Sequence, residues 1–285
     1  MSVFFTDTDC ELDYKVAEEL NISVIGMPYT IMGKEYVYDF GKNTNIKEFF
    51  GFMRKGEVAK TSALNIEDYI NYFEPVFKNG EDILYVHFSC ELSGTFEYMK
   101  SALATLKEKY PERKITLFDT KSISFGAGIQ VIEAAKLHNS GASDEEVVEF
   151  LTNFSKKVAV YFYVDSLEYL RRGGRISSVS AFMGKILSIK PILTITEIGK
   201  LEKISAVSGT KKALDFLKNK FVTEASMEEK YDIFVIDADN EKVGDDLKNQ
   251  LLSVNEKLNI IRYPVGPVIG AHCGPGTIGL IFVKK

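Results

Sequence analysis

Nowhere in the 285 residues do roughly 20 consecutive apolar residues occur, so no membrane-spanning helix is predicted. The opening MSVFFTDTDC has neither a basic leader nor an apolar run, and a soluble, cytoplasmic protein is expected. An excess of one charge is also missing: 35 Lys and Arg against 40 Asp and Glu leave −5, which offers nucleic acid no electrostatic footprint. Cysteine is scarce. Cys10, Cys90 and Cys273 are odd in number and widely spaced, which argues against a disulfide framework and against a CxxC metal site. His87, His138 and His272 are the three histidines, none at helical ligand spacing from another, so no metal centre is expected. The glycine-rich cradle and lysine of a nucleoside triphosphate site are absent as well, and no cofactor is expected.

What the chain does contain is alternation. Val3–Phe5, Asp82–Phe88, Ile115–Phe118 and Val158–Val164 read as apolar strands, separated by helical stretches. Asp9 is placed as the cap of a first helix carrying Leu12, Val16 and Leu20, Asn45 and Asn65 as caps of two more, and Ser143 as the start of a capping box with Glu146. Strands alternating with helices argue for a parallel sheet with helices on its faces. Ile22–Met32 and Glu35–Asp39 read as a hairpin around Gly33-Lys34, and Thr61-Ser62 falls in a linker.

After Val164 the rhythm changes. Helices are expected at 166–172 and 179–189, the latter closed by Pro191, then a hairpin of 192–196 with 201–207, and further mixed helices and strands. The expected fold class is therefore α/β: an N-terminal parallel-sheet domain over 1–158 and an α+β domain over 159–285, packed closely because no flexible linker joins them.

The chemistry is expected in loops after strands, because ligands of open parallel sheets bind at the carboxyl ends. Ser93-Gly94-Thr95 stands where an apolar strand hands over to a helix, whose first turn presents unpaired N–H groups to an anion. Thr61, Ser62 and His272, the last in the glycine-rich segment 270–276, complete one candidate small-anion site. Each piece has a plainer reading: hydroxyls after strands cap helices, and His272 is an ordinary loop histidine. Ser93 as a nucleophile lacks the G-x-S-x-G elbow. Asp7-Thr8-Asp9 has the D-x-D form of an aspartyl phosphotransferase, but Glu11 stands where such sites usually have Thr or Val, and Asp7 as a structural cap or turn former is the favoured reading. Arg171, Arg172 and Arg175 form a basic cluster at a helix C-terminus, either a solvated run or a docking patch for an acidic partner. The run 181–195 (AFMGKILSIKPILTI) is too apolar for a surface helix and is either core or the wall of a tunnel.

Taken together, Thr6-Asp7-Thr8, Thr61-Ser62, Leu92–Thr95, Phe118–Ser122, Tyr169–Ser177, Lys190–Leu193 and Gly270–Gly276 resemble the DegV family of bacterial fatty-acid-binding proteins over nearly the whole chain. The resemblance implies a two-domain fold with an acyl tail in a tunnel between the domains and its carboxylate at Thr61 and Ser93, with His272 close by. It further implies a non-catalytic protein that presents a long-chain fatty acid to a separate, ATP-using fatty acid kinase. The chain departs from the family pattern at Thr8, where serine is common, at Leu64, where proline is, and at Ser208, near which many relatives carry an arginine. Two rival readings accompany it, an Asp7-dependent phosphatase and a regulatory module for a small hydrophilic anion.

Overall fold

The computed structural model describes residues 2–175, 189–226 and 231–285. Along the chain the first elements are β1 (Val3–Asp7), α1 (Tyr14–Glu19), β2 (Ser23–Ile25), β3 (Pro28–Ile31), β4 (Lys34–Val37), α2 (Ile46–Arg54), β5 (Lys60–Thr61), α3 (Ile66–Lys78), β6 (Ile83–His87), α4 (Thr95–Lys109), β7 (Ile115–Asp119), α5 (Phe125–Asn139) and α6 (Asp144–Phe154). Four strands form a parallel sheet in the order β2-β1-β6-β7, as strand-helix alternation requires. The central strand β6, ILYVH, is buried throughout, which is why it reads as a continuous apolar run rather than an alternation. A small antiparallel sheet, β4-β3-β5, sits beside it and contains the expected hairpin.

From Val158 onward the elements are β8 (Val158–Tyr163), α7 (Glu168–Arg172), β9 (Ile189–Ile195), β10 (Leu201–Ser208), α8 (Thr210–Glu224), β11 (Ile233–Asp237), α9 (Glu241–Leu252), β12 (Ile260–Pro264), α10 (Pro267–Cys273) and β13 (Ile278–Val283). Six of these strands make one mixed sheet in the order β10-β9-β8-β13-β11-β12, parallel only between β11 and β12. Helices α8 and α9 bury Leu214, Leu217, Phe221, Leu247 and Leu251 on its outer face. The fold is mixed α/β, as the sequence predicts.

Helix α5 joins the two sheets. Phe125–Gln130 and Val131 are buried, and the helix touches β1 and β6 on one side and β8 and β13 on the other. Such closeness needs glycine: a Cβ on Gly126 would stand 2.3 Å from Val160 of β8. One apolar core accordingly runs from Phe4 and Tyr85 through Phe125 to Phe234 and Ile281.

Several local expectations need correction. Asp9 does not cap an α-helix; Asp7 caps a short 3-10 turn at Thr8–Cys10, and α1 starts later, capped by Asp13. Asn45, Asn65 and Ser143 do cap their helices, the last two as full capping boxes. Pro191 lies within β9, opposite Ala206 and before the pairing with β8 begins, so its missing N–H disrupts no ladder with β8. Of the expected helix 179–189, Ile189 is in β9 and the rest lies outside the described residues; so does 181–188 of the apolar run, whereas Ile192 and Leu193 are buried in the sheet. No helix among the described residues is long and apolar enough to cross a membrane.

The α3 face is set by Tyr69, Phe73 and Phe77 at four-residue spacing, and Phe73 meets Phe5 edge-on with ring centroids 5.6 Å apart. Phe73→Ala is expected to destabilise the protein by about 3–5 kcal/mol, read as a lowered guanidinium midpoint. A midpoint equal to the wild type would contradict this packing.

Candidate ligand-binding cavity between the two sheets

Loops at the carboxyl ends of β1 and β6 face α10, β5 and the inner side of the six-stranded sheet across a cavity of about 160 Å³. Thr61, Ser62, Ser93, Asp9, Arg175 and His272 supply its polar end, and Met27, Phe88, Ile123, Phe162, Leu201 and Ile269 are among its apolar walls. Thr61 is not in a loop but at the end of β5, held by pairing with Tyr29 of β3. His272 is likewise not in a loop: Gly266-Pro267 starts α10, proline suiting the first turn, and His272 falls in its last turn. These two elements bring Thr61 Oγ1 and His272 Nε2 to 2.8 Å.

The histidine is tightly held. A Cβ on Gly173 would stand 2.1 Å from His272 Nδ1, so only glycine lets the segment after α7 lie against the ring. Nδ1 is buried there with no hydrogen-bond partner, whereas Nε2 has Thr61. Burial, helped by the nearby Arg175 charge, lowers the His272 pKa to about 4, so the ring is neutral at physiological pH. In the tautomer protonated at Nε2, the ring donates to Thr61 Oγ1 and leaves only a lone pair against Gly173. The Thr61 proton is then free for another acceptor.

Ser93 is prepared in the same way. Its Oγ accepts from the Thr95 N–H at 3.3 Å, which leaves its own proton to donate. It sits beside Gly94, the N-cap of α4, and Gly94 provides no side-chain cap for that helix end. Ser62 and Gly94 are exposed at the rim. Thr95, also expected at the site, does not line the cavity: it is fully buried and bonded to the Leu64 N–H and the Tyr69 hydroxyl, so it braces the loop from behind.

The arginine cluster divides. Arg171 and Arg172 are exposed and both pair with Glu168 on α7, as a solvated charge run does. Arg175 instead turns inward, lines the cavity, and donates to the carbonyls of Leu92 (3.1 Å) and Gly173 (2.5 Å). It brings a positive charge to the cavity, apart from the exposed pair Arg171 and Arg172 with which the sequence grouped it.

Sequence reasoning also missed Asp9, which lines the cavity with Oδ1 buried and unpartnered. Burial raises its pKa well above the usual carboxylate range, and the neighbouring Asp7 and Glu11 push the same way against Arg175. Asp7 lies outside the cavity lining, fully buried, accepting from the Asp9 N–H, the Tyr85 hydroxyl and the Phe88 N–H; burial raises it to about 7. It ties the loops after β1 and β6 together and lies away from the cavity, where the phosphatase reading would need it exposed. Glu11, holding Ser124 and the Gly266 N–H, is raised by burial to about 8. Nothing in the sequence distinguishes these acids from ordinary turn formers; the signal lies in their burial.

Residues 3–285 match the family model described as the DegV family. The chain belongs to the DegV family. It is 33% identical over 281 residues to a DegV domain-containing protein of Clostridium perfringens, covering 99% of this chain and 97% of that one. Among solved structures it resembles a DegV family protein from Thermus thermophilus described by its fatty acid binding, with a TM-score of 0.85, 27% identity and 99% of both chains covered. It also resembles DegV of Bacillus subtilis, described as a fatty acid binding protein, with a TM-score of 0.82, 26% identity and 99% of both chains covered.

Two outcomes follow from this DegV cavity. Gly173→Ala is expected to displace His272 and lower ligand affinity while far-ultraviolet circular dichroism stays unchanged; wild-type affinity would show that the ring position is immaterial. Glu11 has a folded-state pKa above its ordinary value, so its stabilising contribution is complete below about pH 4.5 and lost as pH rises through about 8. Glu11→Gln is expected to flatten the fall in urea midpoint between about pH 5 and about pH 8; an unchanged slope would contradict this origin.

Proposed function

We propose that this protein is a cytoplasmic long-chain fatty acid carrier, with the carboxylate held at Thr61 and Ser93 and the acyl tail along the apolar walls. The observation that carries the reading is the pair of hydroxyls at the cavity: Ser93 accepts from the Thr95 N–H, and Thr61 accepts from His272 in the Nε2-protonated tautomer, the one that leaves no buried N–H unpaired at Nδ1. Both have a proton to give and together suit an acceptor-only group such as a carboxylate. Burial pushes the Asp9 carboxyl toward its neutral form, which weakens its repulsion of that anion, and Arg175 attracts it. The apolar walls favour an amphiphile over a small hydrophilic anion, since each buried methylene contributes about 0.8 kcal/mol. The fatty-acid-binding relatives from Thermus thermophilus and Bacillus subtilis support the same reading.

In this reading the two units divide near residue 158, where β8 begins, and the tail lies in their seam. Presentation of the bound acid to a separate ATP-using kinase belongs to the proposal too. Among the described residues no lysine lines the cavity to serve a phosphoryl group.

Mass spectrometry of lipid extracted from the purified protein is expected to find one acyl chain per protein. Ser93→Ala and Thr61→Ala should each weaken binding of a fluorescent fatty acid by about 10–100-fold, the worth of one hydrogen bond to a charged group. Lipid-free protein whose two variants bind like the wild type would overturn the assignment.

A further inference from the structure

On the far side of the Ser93 loop three side chains of different chemistry converge. β6 and β7 run parallel with His87 directly opposite Asp119, and the 3-10 turn Cys90–Leu92 after β6 folds Cys90 back toward them. A ring nitrogen of His87, Sγ of Cys90 and a carboxylate oxygen of Asp119 all lie within 4.8 Å of one another. We propose that His87, Cys90 and Asp119 form a binding site for one divalent cation of the zinc class, set behind the loop that carries Ser93. This reverses the expectation of no metal centre drawn from histidine spacing.

The donor set is the first argument. Imidazole, thiol and carboxylate together suit zinc or cobalt and are poor for magnesium or calcium, which take oxygen ligands. Geometry is the second. Metal–ligand bonds of about 2.0–2.3 Å in a tetrahedron place ligand atoms about 3.5 Å apart; atoms within 4.8 Å of one another reach that by side-chain shifts of at most about 1.3 Å, and three protein ligands leave a fourth position for water.

The outer contacts are the third argument. His87 Nδ1 lies 2.8 Å from the Phe88 carbonyl oxygen, the backbone partner that a metal-bound imidazole uses to fix its tautomer, which leaves Nε2 as the lone-pair nitrogen. Asp119 is anchored by the Lys121 N–H on Oδ1 (2.7 Å) and the Cys90 N–H on Oδ2 (3.4 Å). Asp119 also lines a second, polar cavity of about 430 Å³, so one of the three ligands borders open space.

A nucleophilic cysteine is the competing reading, and its alkylation would be indifferent to Zn²⁺. On metal binding the S–H bond breaks, the sulfur lone pair forms the bond to the cation, and the proton leaves to solvent. The ion would tie the ends of β6 and β7 to the segment that contributes Phe88, Leu92, Ser93 and Gly94 to the neighbouring cavity.

Titration of the lipid-stripped, full-length protein with Co²⁺ tests this without reference to fatty acid. The expected result is a thiolate-to-cobalt charge-transfer band saturating at one equivalent, displaced by Zn²⁺, lost in Cys90→Ser and weakened in Asp119→Asn. In wild-type protein Zn²⁺ should also slow alkylation of Cys90, mapped by peptide mass spectrometry, which keeps the test decisive if a variant does not fold. No thiolate band, a band that survives Cys90→Ser, or alkylation of Cys90 indifferent to Zn²⁺ would overturn the proposal.

Discussion

A hydroxyl that already accepts one hydrogen bond still has its proton to offer, and the cavity is organised around two of them. Ser93 is turned by the first amide of α4, and Thr61 by a histidine 2.8 Å away on α10. Each depends on a larger arrangement. The Ser93 loop is braced from behind by Thr95 and Tyr69, and the His272 ring is wedged by Gly173 after α7. Remove either support and the donors remain in the sequence but no longer point into one space. Side-chain direction, more than residue type, makes the site.

Electrostatics around that space follow the same logic. Asp7, Asp9 and Glu11 lie within one short segment and are all buried, a grouping that would repel an anion if the acids were charged. Burial raises the pKa of all three, which weakens that repulsion, and Asp7 and Glu11 use their oxygens to hold the Phe88 and Gly266 amides, so these two serve as struts between loops. Arg175 is the one cation among the described residues of the lining. The His272 ring, neutral and unpartnered at Nδ1, adds orientation without charge.

Much of this was legible in residues with a local mechanism. Asn45, Asn65 and Ser143 cap helices because a short polar side chain before an apolar-periodic run has a single nearby use. The strand-to-helix junction at Ser93 and the four-residue spacing of Tyr69, Phe73 and Phe77 were equally readable. What escaped were choices made by packing across the chain. Arg175 is separated from Arg172 only by Gly173-Gly174, yet the two face opposite ways because the chain turns there against His272. Asp9 and Thr95 look like any cap or helix starter until burial is known. His87, Cys90 and Asp119 show no ligand spacing because strand register, invisible in a single sequence, aligns them.

The two sheets also differ in when they can close. β1, β2, β6 and β7 are all made once Asp119 has left the ribosome, so the parallel sheet needs nothing from the later chain. β8 can pair with β9 soon after it is made, but its other neighbour, β13 at Ile278–Val283, comes much later, and α10 with His272 only just before it. A nascent chain thus carries a formed parallel sheet and a β8 with one open edge until β13 emerges. The pocket cannot close around its passenger until α10 has emerged, so capture follows sheet formation rather than seeding it.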